Sequence, residues 1–127
     1  MKTYTPNMPV GPSVHPPQSA RADALGGRIL EGEVRITVHL DVQEGGMASG
    51  IFEATSGRVE ILFPFTEHAT ILEGEVSLTD EAGHTRTLLP GDSYFIEQGE
   101  RILWDVKTPR LRKAFFNITR QVPRGPA

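Results

Sequence analysis

The chain has 127 residues, the length of one domain, and its 38% hydrophobic and 23% charged residues are ordinary for a globular protein that builds its own core. No cysteine is present, which excludes disulfides, thiolate chemistry and zinc–cysteine sites. A net charge of −3 leaves no footprint for nucleic acid, and no run nears the roughly 18 apolar residues of a membrane span, so neither is an expected partner.

Met1 to Tyr4 leads into prolines rather than an apolar stretch, so no secretory leader is expected and a cytoplasmic location is the simplest reading. Five of the ten prolines fall between Pro6 and Pro17. Proline fixes φ and gives up a backbone donor, so residues 1–20 are expected to form an extended arm, able to dock on a partner subunit. Ser19 to Leu25 has the pattern of a helical turn or two, stopped by Gly26 and Gly27.

From Arg28 the period becomes two. Val34, Ile36, Val38 and Leu40 alternate with Arg35, Thr37, His39 and Asp41, as in a half-buried strand. A turn at Gln43–Gly46 leads to a strand around Phe52, a turn at Ser56–Gly57, and a strand in which Val59, Ile61 and Phe63 share one face. Ala69 to Leu78 reads as two pieces joined at Glu73–Gly74, Asp80–Gly83 as a hairpin turn, and Pro90–Asp92 as another turn. Ser93–Glu97, Ile102–Val106 and Leu111–Ile118 complete the strands. From Gly57 the glycines recur at 74, 83, 91 and 99, the spacing of a small antiparallel sandwich or barrel.

Ile71-Leu72-Glu73-Gly74-Glu75-Val76, followed by Pro90-Gly91-Asp92-Ser93-Tyr94-Phe95-Ile96 and Gly99, resembles the two motifs of a cupin. More narrowly, Phe52-Glu53, Gly57, Phe63-Pro64, Glu67, Gly74, Gly91-Asp92-Ser93, Gly99, Trp104 and Lys113 resemble the small cupins related to the (S)-ureidoglycine aminohydrolase cupin domain and the ethanolamine-utilisation Q protein. The resemblance implies an all-β fold, a single RmlC-like jelly-roll barrel of two antiparallel sheets. On this reading residues 1–20 are the arm, 28–118 the barrel and 119–127 a basic tail. It also implies a homodimer, with the arm and its neighbouring strand serving the contact.

Metal cupins of this resemblance carry His-x-His, a Glu four residues on, and a later His. Counting from Gly74 and Gly99, the Glu position is Glu67, but the three His positions hold Ile61, Phe63 and Ile102. Hydrocarbon side chains donate nothing to a metal, so no metal and no other cofactor is expected. His68 adjoins Glu67 but should face away from it in a strand, His68 and His39 read as surface or hydrogen-bonded histidines, and His15 and His84 read as solvated.

Glu67 is therefore the candidate acid–base group, set among Ile61, Phe63, Ile102 and Trp104, with Tyr94 able to offer a hydroxyl to a ligand. Lys113 is a candidate inward cation to pair with it, and Glu53 a second carboxylate if it faces the same way. Residues 106–127 hold six basic side chains and no acid, which reads as a solvated basic segment. The expected function is binding of a small molecule, with metal-independent acid–base chemistry on a small polar metabolite such as an amine, carboxylate or sugar derivative. A non-catalytic sensor or accessory module and a metal-dependent cupin with atypical ligands are the alternatives.

Overall fold

The computed structural model describes residues 1–8, 18–22 and 27–120. Among them are nine antiparallel strands: β1 (Gln18–Arg21), β2 (Arg28–Glu31), β3 (Arg35–Glu44), β4 (Met47–Leu62), β5 (Thr66–Glu73), β6 (Val76–Thr79), β7 (Thr85–Leu88), β8 (Ser93–Ile96) and β9 (Arg101–Ile118). The helical turn expected over Ser19 to Leu25 does not begin at Ser19, and residues 23–25 of that expectation lie outside the described residues. Ser19 to Arg21 belong to β1 and pair with β3, Ser19 opposite Thr37 and Arg21 opposite Arg35. Much of the expected arm, including most of its prolines and His15, lies outside the described residues, as do residues 121–127 of the expected tail.

Two long strands organise the fold. β4 and β9 pair along their whole lengths, from Met47 opposite Ile118 to Leu62 opposite Arg101, with one irregularity at Thr55–Gly57. Ser56–Gly57 is thus not a turn between two strands. It is a bend inside one strand, and Ile102–Val106 and Leu111–Ile118 are likewise the two ends of β9. The bend lets each strand serve both layers of the jelly roll. The first half of β4 pairs with β3 and its second half with β2. The first half of β9 pairs with β6 and its second half with β5. One layer therefore runs β1-β3-β4-β9-β5-β8, and the other is built on β2, β4, β9, β6 and β7.

Gly57 takes the bend at φ 141°, and a Cβ there would press into Val34 and the Glu31 carbonyl. The Asp80–Gly83 hairpin is fixed by its first side chain, since Asp80 Oδ1 accepts from the backbone of Ala82 at 3.0 Å and of His84 at 2.9 Å. Asp92 closes its turn similarly, accepting from the Leu89 backbone at 2.9 Å.

Alternation then fills the interior. Val34, Ile36, Val59, Ile71, Val76, Ile102, Trp104, Val106, Leu111 and Phe115 form one buried cluster between the layers. At one end that cluster does not close, and a cavity of about 560 Å³ remains.

Candidate functional site

The cavity is apolar over most of its wall. Val38 and Leu40 from β3, Phe52 and Ile61 from β4, Phe63, and Trp104 from β9 line it, and the exposed turn residues Glu44, Gly45 and Gly46 stand at its rim. Besides Gln43 and Glu44 at the exposed end of β3, three polar side chains from the strands enter it: Glu67 from β5, and Lys113 and Asn117 from β9. All three are buried, at 2, 4 and 8% exposure. Burying them is costly unless they satisfy one another, and they do.

The register explains how they meet. Glu67 lies directly opposite Asn117 in the β5–β9 ladder, with Lys113 four residues earlier on the same inward face. In the β5–β8 ladder Glu67 is opposite Ile96, so Tyr94 is its diagonal neighbour. Lys113 Nζ donates to Glu67 Oε1 at 2.8 Å and to the Tyr94 hydroxyl at 2.6 Å. The Tyr94 hydroxyl donates to the same Oε1. Asn117 Nδ2 lies 3.5 Å from Oε2, a weak contact that leaves this oxygen the less engaged of the two.

Aromatic rings surround the ammonium. Nζ lies 4.2 Å from the Phe52 ring centroid, 4.6 Å from Trp104 and 5.2 Å from Tyr94. Trp104 meets both other rings edge-on, at 79° to Phe52 and 82° to Tyr94. Burial pushes the Lys113 ammonium below its ordinary value of 10.5, against the opposing pull of the Glu67 charge. Burial, and then the Glu67 charge, hold the Tyr94 hydroxyl protonated well above its ordinary 10.0. Chemically, the cluster offers a carboxylate, an ammonium that gives up its proton more readily than usual, and a hydroxyl that keeps its own.

A model of the EutQ-like cupin domain matches residues 41–115, more than half of the chain. The chain belongs to the EutQ-like cupin family. Among curated proteins no match was found. Solved structures with the same fold include the EutQ protein of Clostridium difficile, 13% identical over 68% of this chain and 69% of that one, with a TM-score of 0.59. A DUF861-family protein of Thermotoga maritima is 28% identical over 53% of this chain and 75% of that one, with a TM-score of 0.50. A protein of unknown function in the same family from Pseudomonas syringae is 18% identical, covering 88% of this chain and 45% of that one, with a TM-score of 0.69.

This EutQ-like cupin brings together most of the residues singled out in its sequence. Glu67, Lys113, Ile61, Phe63 and Trp104 line the cavity, and Tyr94 reaches its polar cluster through the hydroxyl. Ile102 does not line the cavity. It is buried in the core opposite Ile61. Glu53 is turned away on the outer face of β4, where Oε1 lies 3.3 Å from Arg112 Nε and 3.7 Å from Arg110 Nη2, so no carboxylate pair with Glu67 exists.

The segment expected to be a solvated basic tail is otherwise engaged. Within β9, Lys107 pairs with Asp105 at 2.6 Å, Arg110 with Glu73 at 3.1 Å, and Lys113 with Glu67. Arg112 is buried on the outer face, where Nη1 donates to the Met8 carbonyl at 2.9 Å. His39 departs from the surface or hydrogen-bonded reading: its Nδ1 is buried without a hydrogen-bond partner.

Two members of the site were not singled out. Asn117 follows Lys113 at two-residue spacing through Phe115, so strand alternation alone could have placed it. Phe52 gave no chemical signal, because its role comes from lying opposite Lys113 in the β4–β9 ladder.

The residues do not fit the metal of the wider cupin pattern. Ile61, Phe63 and Ile102 supply no donor atoms, and the oxygens of Glu67 are contacted by Tyr94, Lys113 and Asn117. His68 is exposed on the face opposite Glu67. Among the described residues no three His, Cys, Asp or Glu side chains gather.

Proposed function

We propose that this EutQ-like cupin binds a small metabolite in the barrel cavity and that Glu67 moves a proton on the metabolite's polar end, without a metal. The supporting observation is the hydrogen-bonded set Glu67–Lys113–Tyr94 at the wall of an otherwise apolar cavity of about 560 Å³. A fold needs no buried ionic group to fill a core, and hydrocarbon of equal volume is often more stable. A pocket of this kind, with few convergent polar groups, is the usual form of a small-molecule site. The apolar wall takes the body of the ligand. Its polar end, that of an amine, a carboxylate or a sugar derivative with its hydroxyl or open-chain carbonyl groups, is set against Glu67 and Asn117.

The proposal includes a homodimer. Phe95 and Phe116 are 62% and 47% exposed on the outer face, each opposite His68 in its own ladder, and a second copy would cover them.

Native mass spectrometry of protein purified without a metal column tests the reading. A retained organic adduct, lost on Glu67→Gln substitution, is the expected result. An adduct retained equally by the variant would remove Glu67 from the function. Tight ligand binding with no turnover would make the protein a sensor or accessory module.

A further inference from the structure

We infer that Lys113 is an imine-forming amine and that the ligand's polar end is an aldehyde or ketone carbonyl. This deepens the reading above and rests on it. The geometry carries the inference. Lys113 lines the cavity, yet its Nζ is walled by Phe52, Trp104 and Tyr94 and screened from bulk water at 4% residue exposure. Imine formation is favoured where water is excluded, because water is its product. An acceptor for the ammonium proton is in contact, Glu67 Oε1 at 2.8 Å, and the Tyr94 hydroxyl lies 2.6 Å from the same nitrogen. Desolvation lowers the cost of freeing the amine, a known route to a nucleophilic lysine.

The steps balance without any oxidant or reductant. Glu67 takes a proton from the Lys113 ammonium. The freed lone pair adds to the carbonyl carbon, a C–N bond forms, and the C–O π electrons move to oxygen. The added nitrogen, now positively charged, passes one of its protons to that oxygen, which gives a neutral carbinolamine. A second proton, returned from the Glu67 carboxyl, lets it leave as water while the C=N bond forms. The sum is amine plus carbonyl giving imine plus water, and hydrolysis reverses it. Once Glu67 carries the proton, the Tyr94 hydroxyl, held protonated, turns its hydrogen from Oε1 to the carbonyl oxygen as charge develops there. Asn117 is a further buried polar side chain in the cavity, able to hold a second oxygen of the substrate. The apolar wall favours a short hydrocarbon body over a second charge.

The chain suits a direct test, because its lysines are Lys2, Lys107 and Lys113 alone. Lys2 is exposed, and Lys107 is exposed and paired with Asp105. The probe is 2,4-pentanedione, whose conjugate with an amine is a stable enaminone absorbing in the near ultraviolet. Trp104, the single tryptophan, lies 4.6 Å from Nζ and reports cavity occupancy by fluorescence.

The expected result is saturable quenching, with peptide mapping placing the adduct on Lys113 at least about tenfold faster than on Lys2 or Lys107. Lys113→Arg should retain the quenching and lose the near-ultraviolet band. If that variant does not fold, mapping of the unmodified sequence decides alone. Saturable quenching with no adduct on Lys113, or with adduct spread evenly over the three lysines, would overturn the imine inference and leave the binding reading standing. Neither quenching nor adduct would overturn both for carbonyl ligands.

Discussion

Glu67 and Lys113 stand 46 residues apart in the chain and meet with Nζ 2.8 Å from Oε1, each almost completely buried. The pair is sensitive to the loss of either member, since the survivor is left as a buried charge without its counter-ion. Glu67→Gln and Lys113→Met are each expected to destabilise the fold by about 3 kcal/mol. The double variant should recover much of that loss, because a neutral amide and a thioether together leave no charge behind. Urea unfolding of the four proteins gives the coupling directly, and strictly additive losses would show that the two groups stabilise the fold independently.

The same cluster predicts the alkaline behaviour of the protein. Tyr94 keeps its proton in the folded state above its ordinary 10.0 and releases it more easily when unfolded. Its contribution is therefore present below pH 10 and is lost as pH rises beyond, where the unfolded chain binds fewer protons. Lys113 has the opposite sign. Its folded value lies below 10.5, so the unfolded chain binds more protons in that window, and the cost of burying the ammonium is relieved as pH approaches 10.5. Tyr94→Phe should reduce the loss of stability above pH 10, leaving the smaller part that burial of Tyr4 contributes with the same sign, and Lys113→Met should flatten the rise below it. Thermal unfolding across pH 8 to 11 reads both slopes. An unchanged alkaline limb in Tyr94→Phe would place its origin elsewhere.

A chelator should change neither the melting temperature nor cavity occupancy. Glu67 is the sole oxygen donor at the positions a cupin metal would use, and Ile61, Phe63 and Ile102 stand where imidazoles would be required. A drop in melting temperature on chelation, restored by one divalent ion, would revive an atypical metal site.

Much of this architecture is written in local patterns. The alternation from Val34 to Leu40 and from Leu111 to Phe115 fixed which side chains point inward, so Lys113 could be separated from Arg112 by parity alone. Glu67 came instead from counting back from Gly74 in the motif, and parity separated Tyr94 from Phe95 without saying which of the two faces inward. What local pattern does not carry is connectivity. Ser56–Gly57 has the residues of a turn, yet β4 runs through it, because hydrogen bonding to β9 continues on both sides of the bend. The 19–21 segment looked helical for want of an apolar alternation, and pairing with β3 overrode that propensity. Nor could parity tell inside from outside for Glu53, since both faces of β4 carry buried residues: Ile51 on one and Ala54 on the other. Arg112 was misread for a related reason, because a buried outer face arises only when residues far along the chain, here Met8, come to lie on it.

Two glycines separate backbone strain from crowding. Gly74 and Gly83 hold nearly the same left-handed backbone, φ 90° and 85°. A Cβ at Gly83 would meet nothing within 4 Å, whereas one at Gly74 would fall on the Arg110 carbonyl oxygen and within 2.7 Å of Thr108 Oγ1. Gly83→Ala should therefore cost only the left-handed penalty, about 1 kcal/mol. Gly74→Ala should cost that and a displacement of β9 next to Leu111, about 3 kcal/mol in all. The second substitution also bears on the site, since Leu111 and Lys113 share one face of β9, and a shift there moves the ammonium relative to Glu67. Equilibrium unfolding measures the difference between the two variants, and near-ultraviolet circular dichroism of Trp104 reports whether the cavity wall has moved. Equal costs for the two alanines would mean that β9 yields at Arg110 without strain and that the β5–β6 corner does not hold the site in place.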